Sequence, residues 1–226
     1  MKKIIVVLFI TALIIDKSNA SDVKTIKIFK NPGEFVSYRL EKNVRTCGLV
    51  GENFTEIGYW DDPKSFKDKE ARKKAETVFF SGVGYLEYEF NLNNKLPLNA
   101  RIERIDIITE LSSEYPGQSR HNMQYPSDIS MSINGKKLGV WTAPGDLVSG
   151  WRVIWSVRKD GTYIKEKKVS NKKISDYRIR INRPIRVRMG VDKDARYKGG
   201  MNIYGDRTGK HGKDIMLVIY YTRGER

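Results

Sequence analysis

From Gly84 to the end of the chain, apolar and polar residues alternate with a period of two in run after run. Leu86, Tyr88, Phe90 and Leu92 share one face against Glu87, Glu89 and Asn91, the pattern of a strand with one buried and one wet face. Arg101 to Leu111 places Ile105, Ile107 and Leu111 inward, and Ile185, Val187, Met189 and Val191 alternate with Arg186, Arg188 and Gly190. Asn134-Gly135 separates the runs Ile129 to Ile133 and Leu138 to Trp141; this dipeptide accepts the two positive φ angles of a tight hairpin turn. Further strands are expected at Arg152 to Val157, Thr162 to Lys165, Tyr177 to Ile181 and Asp214 to Tyr221. Two more flank Asn31-Pro32-Gly33 between Val23 and Leu40, and Val44 to Trp60 is a glycine-spaced stretch.

Short strands punctuated by Gly, Pro and Asn, with no repeating helix between them, pair antiparallel in two packed sheets. The expectation is an all-β fold, an antiparallel jelly-roll-like β-sandwich with one short surface helix. That helix is read at Lys64 to Thr77, with Asp62 as its cap, Pro63 at its first position and Ala71, Ala75 and Val78 on one side.

With 226 residues, 39% of them hydrophobic, the chain can bury one sizeable core and hardly two. Residues 1–20 stand apart. Lys2 and Lys3, the apolar run Ile4 to Ile15 and the small residues Ser18-Asn19-Ala20 read as a signal peptide cleaved after Ala20. The run is shorter than the roughly 20 residues that span a bilayer. The expected product is therefore one β-sandwich domain, 21–226, exported to the periplasm or the extracellular space without a transmembrane segment. Cys47 is the lone cysteine, so no internal disulfide forms and a buried, inert thiol is expected. A net charge of +15 favours anionic partners such as an acidic envelope polymer, or else reflects a solvated, lysine-rich surface.

The motifs are arranged in a recognisable order. Thr46-Cys47-Gly48-Leu49, Gly58-Tyr59-Trp60-Asp61-Asp62-Pro63-Lys64-Ser65-Phe66, Gly84-Tyr85-Leu86-Glu87-Tyr88 and Tyr125-Pro126-Ser127-Asp128-Ile129 are followed by Ile133-Asn134-Gly135 and Gly139-Val140-Trp141-Thr142-Ala143-Pro144-Gly145-Asp146. Ile185-Arg186-Val187-Arg188 and Gly199-Gly200-Met201-Asn202-Ile203-Tyr204-Gly205 complete the series. In this order they resemble the C-terminal effector domain of certain bacterial ArsR-type winged-helix transcriptional regulators. The resemblance implies a ligand-sensing domain for a sugar or sugar-derived compound. Two departures stand out: an export signal takes the place of the DNA-binding winged helix, and Leu147 to Trp151 replaces a longer, tryptophan-rich insertion that would supply a pocket wall. No direct DNA binding is expected.

Enzyme signatures are sparse. His121 and His211 sit in polar loops without zinc spacing, and no nucleophile elbow, phosphate loop or dinucleotide fingerprint occurs; no catalytic residue, metal or cofactor is assigned. A glycan hydrolase would need two facing carboxylates, and Glu110, Glu114, Asp128 and Asp146 are the available ones. Asp192 and Asp194 offer a pair of calcium-type oxygens without a full donor loop. Binding is the stronger reading: rings stack on the apolar face of a pyranose while polar groups bond its hydroxyls. The candidate rings are Tyr115, Tyr125, Trp141 and Trp151, and the candidate polar contacts are Arg120, His121, Asp128, Asp146, Tyr204 and Arg207. Trp141 also suits a core position at a strand end, and Asp128 and Asp146 also suit backbone capping.

Overall fold

A computed structural model describes residues 22–42, 44, 46–52, 55–57, 63–113, 125–145, 150–207 and 214–224. The signal-peptide reading, Asp62 and the loop residues Glu114, Tyr115, Arg120, His121, Asp146 and His211 lie outside the described residues. The strands, in chain order, are β1 (Lys24–Lys30), β2 (Ser37–Leu40), β3 (Cys47–Val50), β4 (Glu56–Ile57), β5 (Thr77–Phe80), β6 (Gly84–Phe90) and β7 (Ala100–Ser112). They continue as β8 (Ser127–Ile133), β9 (Lys136–Ala143), β10 (Trp151–Arg158), β11 (Thr162–Ile164), β12 (Lys167–Ser170), β13 (Ile185–Val191), β14 (Met201–Tyr204) and β15 (Ile215–Arg223).

All strand pairings among the described residues are antiparallel. The smaller sheet runs β2-β6-β13-β8-β9; the larger runs β12-β11-β10-β7-β14-β5-β3-β4, with β15 also on β7 and β1 on β15. The chain switches sheets repeatedly, as at β1 to β2, β5 to β6, β6 to β7, β9 to β10 and β12 to β13, and this makes the sandwich jelly-roll-like. Strand β7 is the spine of the larger sheet: one edge meets β10, and the other meets first β15 and then β14. Inward residues Leu86, Tyr88 and Phe90 of β6, Met131 of β8 and Val187 of β13 share one core with Ile105, Ile107, Trp155 and Leu217 of the larger sheet. Cys47 is 1% exposed within that core, as a small hydrophobe.

The Asn134-Gly135 turn forms as expected, with φ of 49° and 79°. Asn134 does more than bend the chain. Its Nδ2 donates to the Tyr177 carbonyl at 3.0 Å and its Oδ1 accepts from the Arg186 N–H at 3.0 Å, which ties the hairpin to its neighbours.

Several expectations need correction. The long helix is instead a 3-10 turn at Pro63–Lys67 followed by the short helix α1 (Lys69–Lys73). Asp68 ends the first segment and starts the second, because its Oδ1 accepts from the N–H groups of Glu70 and Ala71 at 2.9 and 3.1 Å. Beyond α1 the Glu76 N–H bonds the Val50 carbonyl at 2.7 Å, so Thr77 and Val78 belong to β5. The strand expected at Tyr177 to Ile181 is also absent. The chain makes a 3-10 turn at Ile174–Tyr177, and Arg178 then adopts left-handed backbone, φ 50°. Ile179 and Ile181 alternate with Arg180 and pack on the core without ladder bonds, which imitates a strand in the sequence. The charge run after β11 holds a strand of its own, β12, reached through Lys165 and Glu166 at φ 48° and 65°. The two strands expected beside Asn31-Pro32-Gly33 do form, one in each sheet: β1 joins β15 and β2 joins β6.

Candidate functional site

Two of the four candidate rings converge. Trp141 lies on the inner side of edge strand β9 and packs partly against the core. Trp151 opens β10, in phase with the buried Val153, Trp155 and Val157, and is 39% exposed because it stands at the rim where that series runs out. Lys165, in the turn after β11, places its Nζ 5.0 Å from the Trp141 ring centroid and 4.8 Å from that of Trp151. A bond from the Lys165 N–H to the Ile154 carbonyl, 2.9 Å, holds the turn in place. An ammonium held over ring faces is attracted by their quadrupoles. Burial pulls the Lys165 pKa below the usual lysine range.

Close approach of the strands here depends on Gly139. A Cβ at that position would lie 2.9 Å from Ile164 Cδ1 and 3.3 Å from Val169 Cγ2, so a side chain there would require the ends of Ile164 and Val169 to shift. The result is an apolar rim with two indoles and one cationic donor. Such a set can stack on a sugar ring and bond a hydroxyl or an acidic substituent.

The remaining candidates are spread elsewhere. Asp128 lies on the outer face of the smaller sheet, with both carboxylate oxygens engaged. Oδ1 accepts from Thr142 Oγ1 at 2.6 Å, and Oδ2 accepts from the N–H groups of Arg196 and Tyr197 at 3.1 and 3.2 Å. It borders a polar hollow of about 360 Å³ with Lys137, Thr142, Asp192 and Asp194. There the Asp192 charge is met by Lys137 Nζ at 2.6 Å. Asp128→Ala is expected to cost about 1–3 kcal/mol through the lost charge-assisted bonds, measured by chemical denaturation, with amide exchange rising at Arg196 and Tyr197.

Tyr204 belongs to the outer face of the larger sheet, where its hydroxyl sits 2.9 Å from Ser112 Oγ and accepts from Asn202 Nδ2 at 3.3 Å. Glu110, 1% exposed, is its register partner, and both crowd Gly150. Tyr125 is half-buried, with its backbone carbonyl against Gly199. Trp141 and Trp151 therefore share a site that neither Asp128 nor Tyr204 enters.

Arg207 belongs to a charged cluster. Its Nη1 is 2.9 Å from Glu52 Oε2 and its Nε 3.9 Å from Glu76 Oε1, and Asn31 Nδ2 donates to that same Glu76 oxygen at 3.3 Å. Oxygens of Glu76, Asp206 and Asp214 lie within 4.8 Å of one another, a donor set that hard cations accept. Burial, then neighbouring charge, raises the pKa of Glu76 and Asp214. A carboxyl raised in the fold is stabilising only while protonated. The contribution is lost as pH rises from about 4, the unfolded value, through the raised one. Asp214→Asn keeps an acceptor for the Asp206 N–H and removes the charge. It is expected to raise the thermal midpoint at pH 7 without added cations, with the gain shrinking as pH falls through that window in a melting series.

No family model matches the chain, and no curated protein matches it in sequence. Among solved structures, it is similar to the carbohydrate-binding module CBM36 in complex with calcium and xylotriose, at 8% identity and a TM-score of 0.34, over 86% of this chain and 98% of that one. It is also similar to the catalytic domain of a GH87 alpha-1,3-glucanase in complex with tetrasaccharides, at 9% identity and a TM-score of 0.21, over 90% of this chain and 28% of that one. The two-sheet architecture stands on its own strand pairing.

Proposed function

We propose that this protein is an exported, non-catalytic carbohydrate-binding β-sandwich whose ligand stacks on Trp151 and Trp141 at the rim between the sheets. The observation that carries this reading is the convergence of both indoles on Lys165. An exposed Trp151 beside a half-buried Trp141 offers apolar surface to a pyranose face, and the Lys165 ammonium offers a donor to hydroxyl or carboxylate groups. The sequence resemblance to ArsR-type effector domains supports a ligand-binding role. The non-catalytic reading is supported by the two candidate carboxylates among the described residues: Asp128 is occupied by Thr142, Arg196 and Tyr197, and Glu110 is buried on the far side of the larger sheet. Affinity electrophoresis through a panel of neutral and acidic polysaccharides tests the proposal. Retardation that persists at moderate salt is expected, since stacking is not screened by ions. Retardation by acidic polymers alone, lost once the Debye length falls below about 8 Å, would assign binding to the +15 net charge instead. Product formation on the panel would make the protein an enzyme.

A further inference from the structure

A second concave feature lies at the other end of β7. It is a groove of about 570 Å³ between Leu98, Ala100 and Ile102 on one side and the segment 174–182 on the other, a size typical of small-molecule sites. Its position is independent of the tryptophan rim, since Ile102 stands near the start of β7 while Trp151 pairs with Leu111 near its end. Ile102, Ile174, Ile179 and Ile181 pack on the core and turn their remaining surface to the groove, and Leu98 is 95% exposed at its lip. The lining includes no acidic and no aromatic side chain. Two guanidinium groups, Arg178 and Arg180, complete it, both exposed.

Arg186 and Arg188 pair with Glu89 and Glu87, whereas Arg178 and Arg180 make no ion pair or side-chain hydrogen bond among the described residues. Arg178 is also held in left-handed backbone, φ 50°, a conformation that disfavours non-glycine residues and recurs at ligand sites. Without a ring to stack on, the floor does not suit a sugar. Branched aliphatic walls suit a hydrocarbon chain, and unpaired guanidinium groups suit a carboxylate, which they bind as a planar fork.

We propose that this groove binds a single-chain amphiphile with an anionic head. The chain lies along Leu98, Ile102, Ile179 and Ile181, and the carboxylate meets Arg178 and Arg180. Isothermal titration calorimetry of the protein with sodium dodecanoate, below its micellar range, tests this. Saturable binding is expected, with dodecyl maltoside and butyrate each at least about tenfold weaker because each lacks one half of the recognised molecule. The double variant Arg178→Gln/Arg180→Gln and the single variant Leu98→Asp should each weaken dodecanoate binding about tenfold or more. All three positions are exposed, so unchanged circular dichroism is the folding control. Absence of saturable heat, equal affinity for dodecyl maltoside, or wild-type affinity in both variants would overturn the proposal. So would binding to phosphatidylglycerol vesicles that depends on the arginines and is not competed by dodecanoate, which would make the groove a membrane-docking surface. A concentration-dependent dimer abolished by Leu98→Asp would likewise overturn it in favour of a second copy of the chain.

Discussion

Trp151→Ala is expected to abolish retardation on the polysaccharide that binds the wild-type protein, while the fold survives. The exposed indole makes its contribution at the rim, so its truncation should cost less than about 1 kcal/mol of stability. In binding it is expected to act as an aromatic hot spot, where truncation costs about 2 kcal/mol or more, a loss of about 30-fold in affinity. Trp141→Ala should weaken binding similarly but also cost about 2 kcal/mol of stability, because its ring packs partly on the core. The two variants thus differ in melting temperature and agree in binding. Trp155→Ala is the contrasting control: that ring is fully buried and its loss should act on folding alone. Wild-type retardation in Trp151→Ala would remove the rim from the account.

Gly190→Ala is expected to destabilise the sandwich by about 3 kcal/mol or more. Gly190 sits in β13, opposite Tyr85 of β6 and Ser130 of β8. A Cβ there would lie 2.1 Å from the Gly84 carbonyl oxygen and 2.6 Å from Tyr85 Cα. Backbone cannot rotate aside as a side chain can, so β13 would have to separate from β6 and open the smaller sheet. Urea denaturation measures the loss, and a midpoint within error of wild type would show that the two strands are not packed this closely. The smaller sheet carries Trp141 on its edge, so this substitution should also impair binding, but only under conditions where it unfolds the protein.

Strand positions were legible wherever chemistry repeated. The alternation of β6 and β13 marks one buried face directly, whereas β7 is buried on both faces from Ile105 onward, and Asn134-Gly135 carries the backbone preference of its turn. The β11 to β12 turn gave no such signal, because Lys165 and Glu166 adopt the left-handed region without being Asn or Gly. The helix was over-extended because helix formers continue through Ala75, whereas Asp68 and the bond from Glu76 to Val50 decide where the segment breaks. Around the site, pairing irregularity hid the geometry. Leu138 is skipped between the partners of Met131 and Ser132, so Leu138 and Trp141 both face inward despite being three positions apart. Lys165 was missed for a related reason: nothing local to its sequence announces that its ammonium will lie over two distant tryptophan rings. Asp128, attractive beside Tyr125 and Pro126, proved to be tied to Arg196 and Tyr197, partners far along the chain.

The central claim is that sugar meets the protein at the Trp141, Lys165 and Trp151 rim. The most direct measurement is a titration of the tryptophan indole N–H signals by NMR, using the oligosaccharide of whichever polysaccharide retards the protein most. The account predicts saturable shifts of the Trp141 and Trp151 indoles with one common midpoint, while the buried Trp155 signal stays in place. Saturation with both rim indoles unmoved would contradict it.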